Sequence, residues 1–439
     1  MSIQQTLEKI LRKVKEGMHP SDLVDLVEEL TGEQKIELFE LLSDEKAALI
    51  IQEMEDFDQV SLLKLLTAHR ASAILKEMAI DDAADLVGEL PPEEARELLA
   101  LIEEEAEEIR GLLKYPEDTA GGIMTTEFIS LPEYIPVEEA IIRLREVAPD
   151  AETIYYVYIV DSRARLNGVL SLRDLIAAQD GIPLKEIMYH NVISVTTDMD
   201  QEDVARIVAR YDLLAVPVVD EKSRLLGIIT VDDILDVIEA EATEDIYRLA
   251  GAGEIETVGV TEAPAIDLAR KRLPWLLICL FGGLLSGSVV GAFTVTLETI
   301  VVLAAFIPVI MDMGGNVATQ SSTVFVRGLA TGEIKGSDTR SYLGREIKVG
   351  LLMGLFNGAV IALAAYLWKG LPILGLVVGI AMFFTIVVAA LIGTVVPIIF
   401  NYYGIDPALS AGPFVTTIKD VTGLLIYFYT ASIFLKFLV

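Results

Sequence analysis

Two carboxylates stand in stretches that otherwise read as hydrocarbon-soluble, and they need a chemical reason. Asp312 lies in Pro308-Val309-Ile310-Met311-Asp312-Met313-Gly314-Gly315-Asn316-Val317-Ala318-Thr319-Gln320, and Asp420 lies in a second polar island, Pro413 to Gly423, with Thr416, Thr417 and Thr422. Charges and unpaired backbone groups are costly in lipid, so both islands need a cavity, an ion or a charge partner. A helix break at Gly314-Gly315-Asn316 would free carbonyls beside the Asn316 and Gln320 amides. In lipid those carbonyls and amides need polar partners. For Asp420 the alternatives are a salt bridge with Lys419 or an interfacial position in water. Two such islands in long apolar sequence suggest a pore.

The elements that must position these residues are five expected spans, about Leu273 to Phe293, Thr299 to Thr319, Val349 to Trp368, Ile373 to Phe400 and Thr422 to Val439. Each is long enough for ~30 Å of hydrocarbon, the last with little margin. Arg270 to Arg272 precede the first span, and Arg327, Lys335, Arg340, Arg345 and Lys348 separate the second and third, whereas Lys369 alone marks the other side. The positive-inside rule then puts the N-terminus in the cytosol and the C-terminus outside a cell membrane crossed several times. Five spans are few for a transport path, so a homodimer with its pore on or near the twofold axis is expected. Gly282, Gly283, Gly287 and Gly291, and Gly350, Gly354 and Gly358, permit close helix approach, and packing alone explains them.

Charge divides the 439 residues sharply. Ten Lys/Arg and seven Asp/Glu fall at 271–439, which leaves the first 270 residues with 24 basic and 59 acidic groups, a net charge near −35. Such a field repels nucleic acid and anionic lipid and attracts cations. The single cysteine, Cys279, cannot form an intrachain disulfide, in keeping with a cytosolic location for the bulk of the chain. Residues 1–18 form a charged amphipathic stretch without an apolar core, so no cleavable signal is expected.

Over residues 1–120 one theme recurs, an acidic or Pro cap followed by Leu/Ile/Val at helical spacing: Ser21 to Leu30, Glu33 to Leu42, Asp44 to Met54, Asp58 to Leu66, Ala71 to Met78, Asp81 to Leu90 and Pro91 to Ile102. Short helices stacked in a small superhelix would bury one face of each unit. Glu53, Glu55, Asp56, Asp81, Asp82, Asp85, Glu93 and Glu94 gather on the other face, where a solvated surface is also a sufficient reading, as it is for Glu103 to Glu108.

An internal duplication follows. Gly122-Ile123-Met124-Thr125-Thr126-Glu127-Phe128-Ile129-Ser130-Leu131 is echoed 64 positions on by Glu186-Ile187-Met188-Tyr189-His190-Asn191-Val192-Ile193-Ser194-Val195. Leu166-Asn167-Gly168-Val169-Leu170-Ser171-Leu172-Arg173-Asp174-Leu175 is echoed 59 on by Leu225-Leu226-Gly227-Ile228-Ile229-Thr230-Val231-Asp232-Asp233-Ile234. Each copy reads strand, helix, strand, turn, strand, helix, with β-rich runs at Tyr155 to Val160 and Val216 to Val219. Ser171 and Thr230 suffice as helix N-caps with Asp three residues on. A long acidic helix then runs from Val231 to about Ala250 with Asp232, Asp233, Asp236, Glu239, Glu241, Glu244 and Asp245. Like charges at three- or four-residue spacing cost a few tenths of a kcal/mol per pair, so a cation is expected to compensate, and calcium or magnesium fits oxygen ligands. Without a His or Cys cluster here, zinc and copper sites are not expected.

The duplicated region resembles a tandem CBS (cystathionine-β-synthase) pair. That resemblance implies an adenosine-nucleotide turn at Gly168, Ser171 and Asp174 and at Gly227, Thr230 and Asp233, with ATP as a regulatory ligand. With the helical repeat before it and the spans after it, the whole chain resembles the MgtE family of magnesium channels. Its most specific marks are Pro308 to Gln320 and Gly412-Pro413-Phe414-Val415-Thr416-Thr417-Ile418-Lys419-Asp420-Val421-Thr422-Gly423. The resemblance implies a helical N domain at 1–120, CBS copies at 121–184 and 185–243, an acidic connecting (plug) helix at 244–270, and a five-helix membrane domain at 271–439. It implies that Asp420 binds hydrated Mg2+ in a dimeric pore, with Asp312, Asn316, Pro308, Gly314, Gly315, Gln320, Pro413, Thr416 and Thr417 shaping the path. Glu202, Asp212, Asp233, Asp236, Glu241 and Glu244, with Asp81 and Asp85 of the N domain, are the implied sensors that close it. Ala318 departs from the glycine of the family pattern. A path for another divalent ion (cobalt, manganese or calcium) and a membrane-anchored nucleotide sensor are the alternatives. Catalysis is not expected, because there is no Gly-x-x-x-x-Gly-Lys-Ser/Thr loop and His19, His69 and His190 lack plausible partners.

Overall fold

In the computed structural model, residues 3–102, 105–252, 264–299, 301–334 and 338–434 are described. The chain divides into two units, Met1–Ala240 and Glu241–Val439.

The first unit opens with nine short helices: α1 Ile3–Lys15, α2 Pro20–Glu28, α3 Gly32–Leu41, α4 Asp44–Gln52, α5 Asp56–Leu65, α6 Ala68–Leu75, α7 Ile80–Gly88, α8 Pro92–Leu101 and α9 Ala106–Leu112. Each of the seven anticipated segments corresponds to one of α2–α8. Capping sets their starts: Ser43 accepts from the Lys46 amide, Thr67 from that of Arg70, and Pro20 and Pro92 stand at first-turn positions. Even-numbered helices α2, α4, α6 and α8 pack in succession, and odd-numbered α3, α5, α7 and α9 do the same, giving a two-layered superhelix. Arg70 ties turns together by donating to the Phe39 and Leu42 carbonyls at 2.8 Å each and pairing with Asp44.

Two α/β copies follow. The first holds β1 Ser130–Pro132, α10 Val137–Val147, β2 Tyr156–Val160, β3 Leu166–Ser171 and α11 Leu172–Ala177; the second holds β4 Val195–Thr196, α12 Gln201–Tyr211, β5 Ala215–Val219, β6 Leu225–Thr230 and α13 Val231–Leu249. Each makes a three-stranded sheet in sequence order, its first pair parallel and its second antiparallel. The opening segments cross over between copies: Thr125 pairs with Ile228, and Tyr189 with Val169. The repeated methionines explain the repeated glycines. A Cβ at Gly168 would lie 2.5 Å from Met188 Sδ, and one at Gly227 would lie 2.6 Å from the Thr125 carbonyl and 2.8 Å from Met124 Sδ. The core of the helical repeat continues into the second copy through Val195, Val204, Val216 and Ile234, while the first copy keeps its own core around Val157, Ile159 and Leu170.

The second unit contains α14 Ala265–Ala292, α15 Thr294–Thr299, α16 Ile307–Ala330, α17 Thr339–Lys369, α18 Pro372–Tyr402, α19 Ala408–Ala411 and α20 Pro413–Ile433. Among the described residues four helical stretches are long and apolar enough to cross a membrane: Ala265–Ala292, Val301–Ala330, Thr339–Lys369 and Pro372–Tyr402. The expected fifth span lies on α20, whose 21 residues include Lys419 and Asp420; its residues 435–439 lie outside the described part. Also outside it are Glu103 and Glu104, Ile300, Lys335 and residues 253–263 of the connecting segment. The expected 244–270 helix is therefore described only at its ends, 244–249 on α13 and 265–270 on α14. Close approach dominates the packing of this unit. A Cβ at Gly354 would lie 2.9 Å from the Phe383 carbonyl, one at Gly358 2.8 Å from the Gly379 carbonyl, and one at Gly282 2.2 Å from Thr417 Oγ1.

Candidate functional site

The second unit brings both polar islands together on three helices. Pro308 and Pro413 sit in the first turns of α16 and α20, where a missing N–H is harmless. Where α16, α18 and α20 meet, Gly314 and Gly423 both face Thr385, whose Cγ2 would stand 3.1 and 3.3 Å from a Cβ at either position. Thr385 is buried and its hydroxyl has no partner among the described residues, a polar atom that no local pattern around it announces.

Residues 314–316 do not break the helix. α16 continues through them, because both glycines serve close approach instead: Gly314 meets Thr385, and Gly315 makes room for the Lys419 ammonium, which would lie 2.9 Å from a Cβ there. The expected freed carbonyls are thus absent, and the polar groups of α16 form a stripe. Asp312, Asn316, Gln320 and Thr323 recur at helical spacing and are exposed on the single chain, with Asn316 Nδ2 donating to Asp312 Oδ2 at 3.3 Å. Ala318 is buried with its carbonyl against α18, 2.3 Å from where a Cβ of Gly393 would stand, so its backbone faces a helix.

Asp420 is not the unpaired carboxylate of the first expectation. Its partner is Lys419, which is buried and also donates to the Met311 carbonyl at 3.0 Å. The Asp420 side chain remains about a quarter open (24 %). Thr416 Oγ1 donates back to the Gly412 carbonyl at 2.7 Å, and Thr417 packs at Gly282.

In the first unit, acids of α7, of α13 and of the loop before β2 converge. Asp81 is 7 % exposed and its Oδ1 has no hydrogen-bond partner among the described residues. Burial, then the charges of Asp82, Asp233 and Glu152, push its carboxyl up to about 8. Glu152 is raised to about 7 by desolvation and by Asp233, Glu127, Asp82 and Asp232. Asp233 rises to about 6, chiefly through burial, although Thr230 donates to its Oδ2 from the hydroxyl at 2.5 Å and from the amide at 3.1 Å. Asp82 is raised by burial against an opposing 2.5 Å hydrogen bond from Gln52. Asp236 adds its charge to Asp82. Burial and neighbouring carboxylates raise all four acids, so the cluster crowds like charge that a proton or a cation would relieve. Among the described residues no three such groups converge closely enough to bind a bare metal ion.

Comparisons with known proteins bear directly on this pairing of an acidic helical unit with polar membrane helices. Residues 307–430 match the MgtE divalent cation transporter family, 18–118 the MgtE intracellular N domain, and 120–181 and 184–240 the CBS domain. The magnesium transporter MgtE of Thermus thermophilus is 43 % identical over 444 residues, covering 99 % of this chain and 98 % of that protein. The chain belongs to the MgtE family. The magnesium transporter MgtE of Enterococcus faecalis is 44 % identical over 336 residues, 76 % of this chain and 73 % of that protein. A crystal structure of the cytosolic domain of the Mg2+ channel MgtE in complex with ATP is 45 % identical, with a TM-score of 0.51, and covers 54 % of this chain and 98 % of that one. This MgtE-family chain thus combines a cytosolic N domain and CBS pair with apolar membrane helices, and it is not an enzyme.

The other anticipated residues of this family member lie apart from the cluster or have partners of their own. Glu202 pairs with Arg206 at 2.6 Å, and Asp212 ends α12 in the left-handed conformation (φ 51°). Asp85 is exposed on α7. Glu244 pairs with Arg248, which also reaches Asp406 at 2.6 Å, so on this stretch of α13 the compensating cation is a side chain. Glu241, one turn before Glu244, is half-buried. At the nucleotide positions, Ser171 Oγ donates to Asp174 Oδ2 at 2.6 Å and accepts from its amide at 3.1 Å, whereas Thr230 donates to Asp233 Oδ2 from both hydroxyl and amide. Gly168 and Gly227 seat methionines. Glu152 and Thr385 joined the site only through the fold, whereas Asp82 already stood among the acids of the helical repeat.

Proposed function

We propose that this MgtE-family protein conducts Mg2+ into the cytosol down its electrochemical gradient, and that Mg2+ held between the N domain and the CBS pair closes it. The observation that carries the proposal is the Asp81 carboxylate, buried with an unpartnered oxygen among Asp82, Glu152 and Asp233. Evolution of such a cluster is costly unless a cation occupies it, because each ionised neighbour raises the energy of the others. Mg2+ keeps several of its waters and takes only one or two carboxylates directly. A hydrated ion therefore suits acids that approach one another without closing on a common centre. Bound ions favour the docked arrangement of α7 against α13 by their differential affinity for it.

The transport path is read from the α16 stripe and Asp420. Polar groups exposed on a membrane helix need a polar neighbour, and a second copy of the chain with its own stripe supplies one across a twofold axis. α20 then counts as the fifth span, the N-terminus lies in the cytosol and the C-terminus outside. The nearby ATP complex supports ATP as a regulatory ligand of the CBS pair, although both cap hydroxyls would have to exchange their aspartate partners to meet it.

The test is flux into liposomes carrying the full chain, read with an ion-sensitive dye against Mg2+, Co2+, Mn2+ and Ca2+, with Mg2+ varied on the side of the soluble domains. Mg2+ entry that falls as that Mg2+ rises, and that is lost in Asp420→Ala, is expected. Near-normal flux in Asp420→Ala, or entry indifferent to the soluble domains' Mg2+, overturns the reading.

A further inference from the structure

Lys419 is a buried ionisable group of the membrane unit that the transport reading leaves unused. Its side chain is 9 % exposed, and the structure provides it with a seat of three parts. Its ammonium contacts the Asp420 carboxylate. It donates to the Met311 carbonyl at 3.0 Å. It also occupies the space left by the missing side chain of Gly315, where a Cβ would lie 2.9 Å from Nζ. Met311 and Gly315 belong to α16 and Lys419 to α20, so the cation lies between the two helices that carry the polar islands. The carboxylate leans on it: Asp420 Oδ1 is buried, and among the described residues it has no hydrogen-bond donor, so the charge contact with Lys419 is its compensation.

We propose that Lys419 is the resident counter-cation of Asp420 and sets how tightly the pore holds a divalent ion. This deepens the transport reading and rests on it. With no ion present the ammonium neutralises the carboxylate at membrane depth, where an isolated charge is costly. A hydrated divalent cation approaching Asp420 meets the repulsion of that ammonium and must displace it. The Met311 carbonyl offers the displaced ammonium a second anchor, so Lys419 releases the carboxylate without leaving the helix interface. When the ion moves on, the ammonium returns and the ion is not recaptured. Conduction needs binding strong enough to admit an ion and weak enough to let it go, and a tethered positive charge beside the ligand shifts that balance toward release.

Glycine at 315 acquires a purpose from the same geometry. It is a positioning residue, because a methyl group there would push the ammonium off Met311 and away from Asp420 while leaving the lysine in place.

The test is Mg2+ influx into liposomes bearing the full chain, measured over a titration of Mg2+ on the entry side for the wild-type protein, Lys419→Met, Lys419→Arg and Gly315→Ala. Lys419→Met should lower the half-saturating Mg2+ concentration on the order of tenfold and reduce the maximal flux, because the ion then leaves slowly. Gly315→Ala should move half-saturation in the same direction by less, and Lys419→Arg should stay nearer the wild type than Lys419→Met. Unchanged half-saturation in both Lys419→Met and Gly315→Ala, with or without a loss of maximal flux, overturns the proposal and leaves Lys419 a purely structural residue. If Lys419→Met is not monodisperse in detergent, Gly315→Ala decides alone. Wild-type liposomes without Mg2+ entry would instead bring down the transport reading itself.

Discussion

Asp81→Asn isolates the electrostatic cost of the cytosolic cluster, because the amide keeps the shape of the carboxyl and never ionises. The carboxyl titrates near 8 in the folded chain against 3.8 for the free group. At pH 7 the native protein relieves the strain by taking up a proton, so the cost is bounded by the interval from 3.8 to 7. At ~1.4 kcal/mol per pKa unit that is about 4 kcal/mol. Asp82, Glu152 and Asp233 share the repulsion and relax with it, so a net gain of ~2 kcal/mol is expected for the variant in Mg2+-free buffer. For a unit the size of residues 1–240 this corresponds to a rise in Tm of roughly 4–8 °C. Thermal unfolding of the full chain in detergent, followed with EDTA and then over a Mg2+ titration, gives the measurement. The wild type should gain Tm steeply with Mg2+, whereas Asp81→Asn should start higher and gain less than about half as much, since part of its site is gone. A variant that melts below the wild type in EDTA, or that gains the full Mg2+ increment, refutes the assignment of Asp81 to a charge-strained cation site.

Protons should substitute for the metal. Asp81, Glu152 and Asp233 have folded-state values of about 8, 7 and 6, all above their free values, so the folded chain binds protons that the unfolded chain does not. Stability in EDTA should therefore rise as pH falls from 8.5 through this range to 6, while the extra Tm conferred by Mg2+ shrinks; a flat or inverted pH profile of Tm would contradict this. Gly227→Ala should destabilise the cytosolic unit by ~1–3 kcal/mol, since its methyl would meet the Thr125 carbonyl at 2.6 Å. Denaturant unfolding that matches the wild type would show that the crossed Met124 segment yields to the methyl group.

Much of the architecture was legible in local pattern. Caps and apolar spacing located helices α2–α8, and the duplicated motif located both sheets, because those signals act within a turn or two of helix or strand. The site was legible only in part. Gly314-Gly315 reads locally as a break, yet both glycines serve partners from other helices, Thr385 and Lys419, and no short-range signal separates a hinge from a close approach. Asp81 resembles its acidic neighbours in sequence, and only the fold, which buries it near Asp82, Asp233 and Glu152, turns it from a surface group into a buried one. Glu152 had no signal at all, since it sits in an irregular loop and gains meaning from Asp233 across the fold. Lys419 was visible as a neighbour of Asp420, but the Met311 carbonyl that holds it was not.

The crossed seating of Met124 at Gly227 and Met188 at Gly168 makes the two α/β copies interlock like clasped hands. Each contributes the finger that fills the other's socket, so a cut near residue 184 would open a slot in both halves and yield no self-sufficient fragment. The duplication is better treated as one indivisible cassette. Hybrids assembled from different MgtE-family proteins should exchange both copies at once, and melting of the two halves should be a single event.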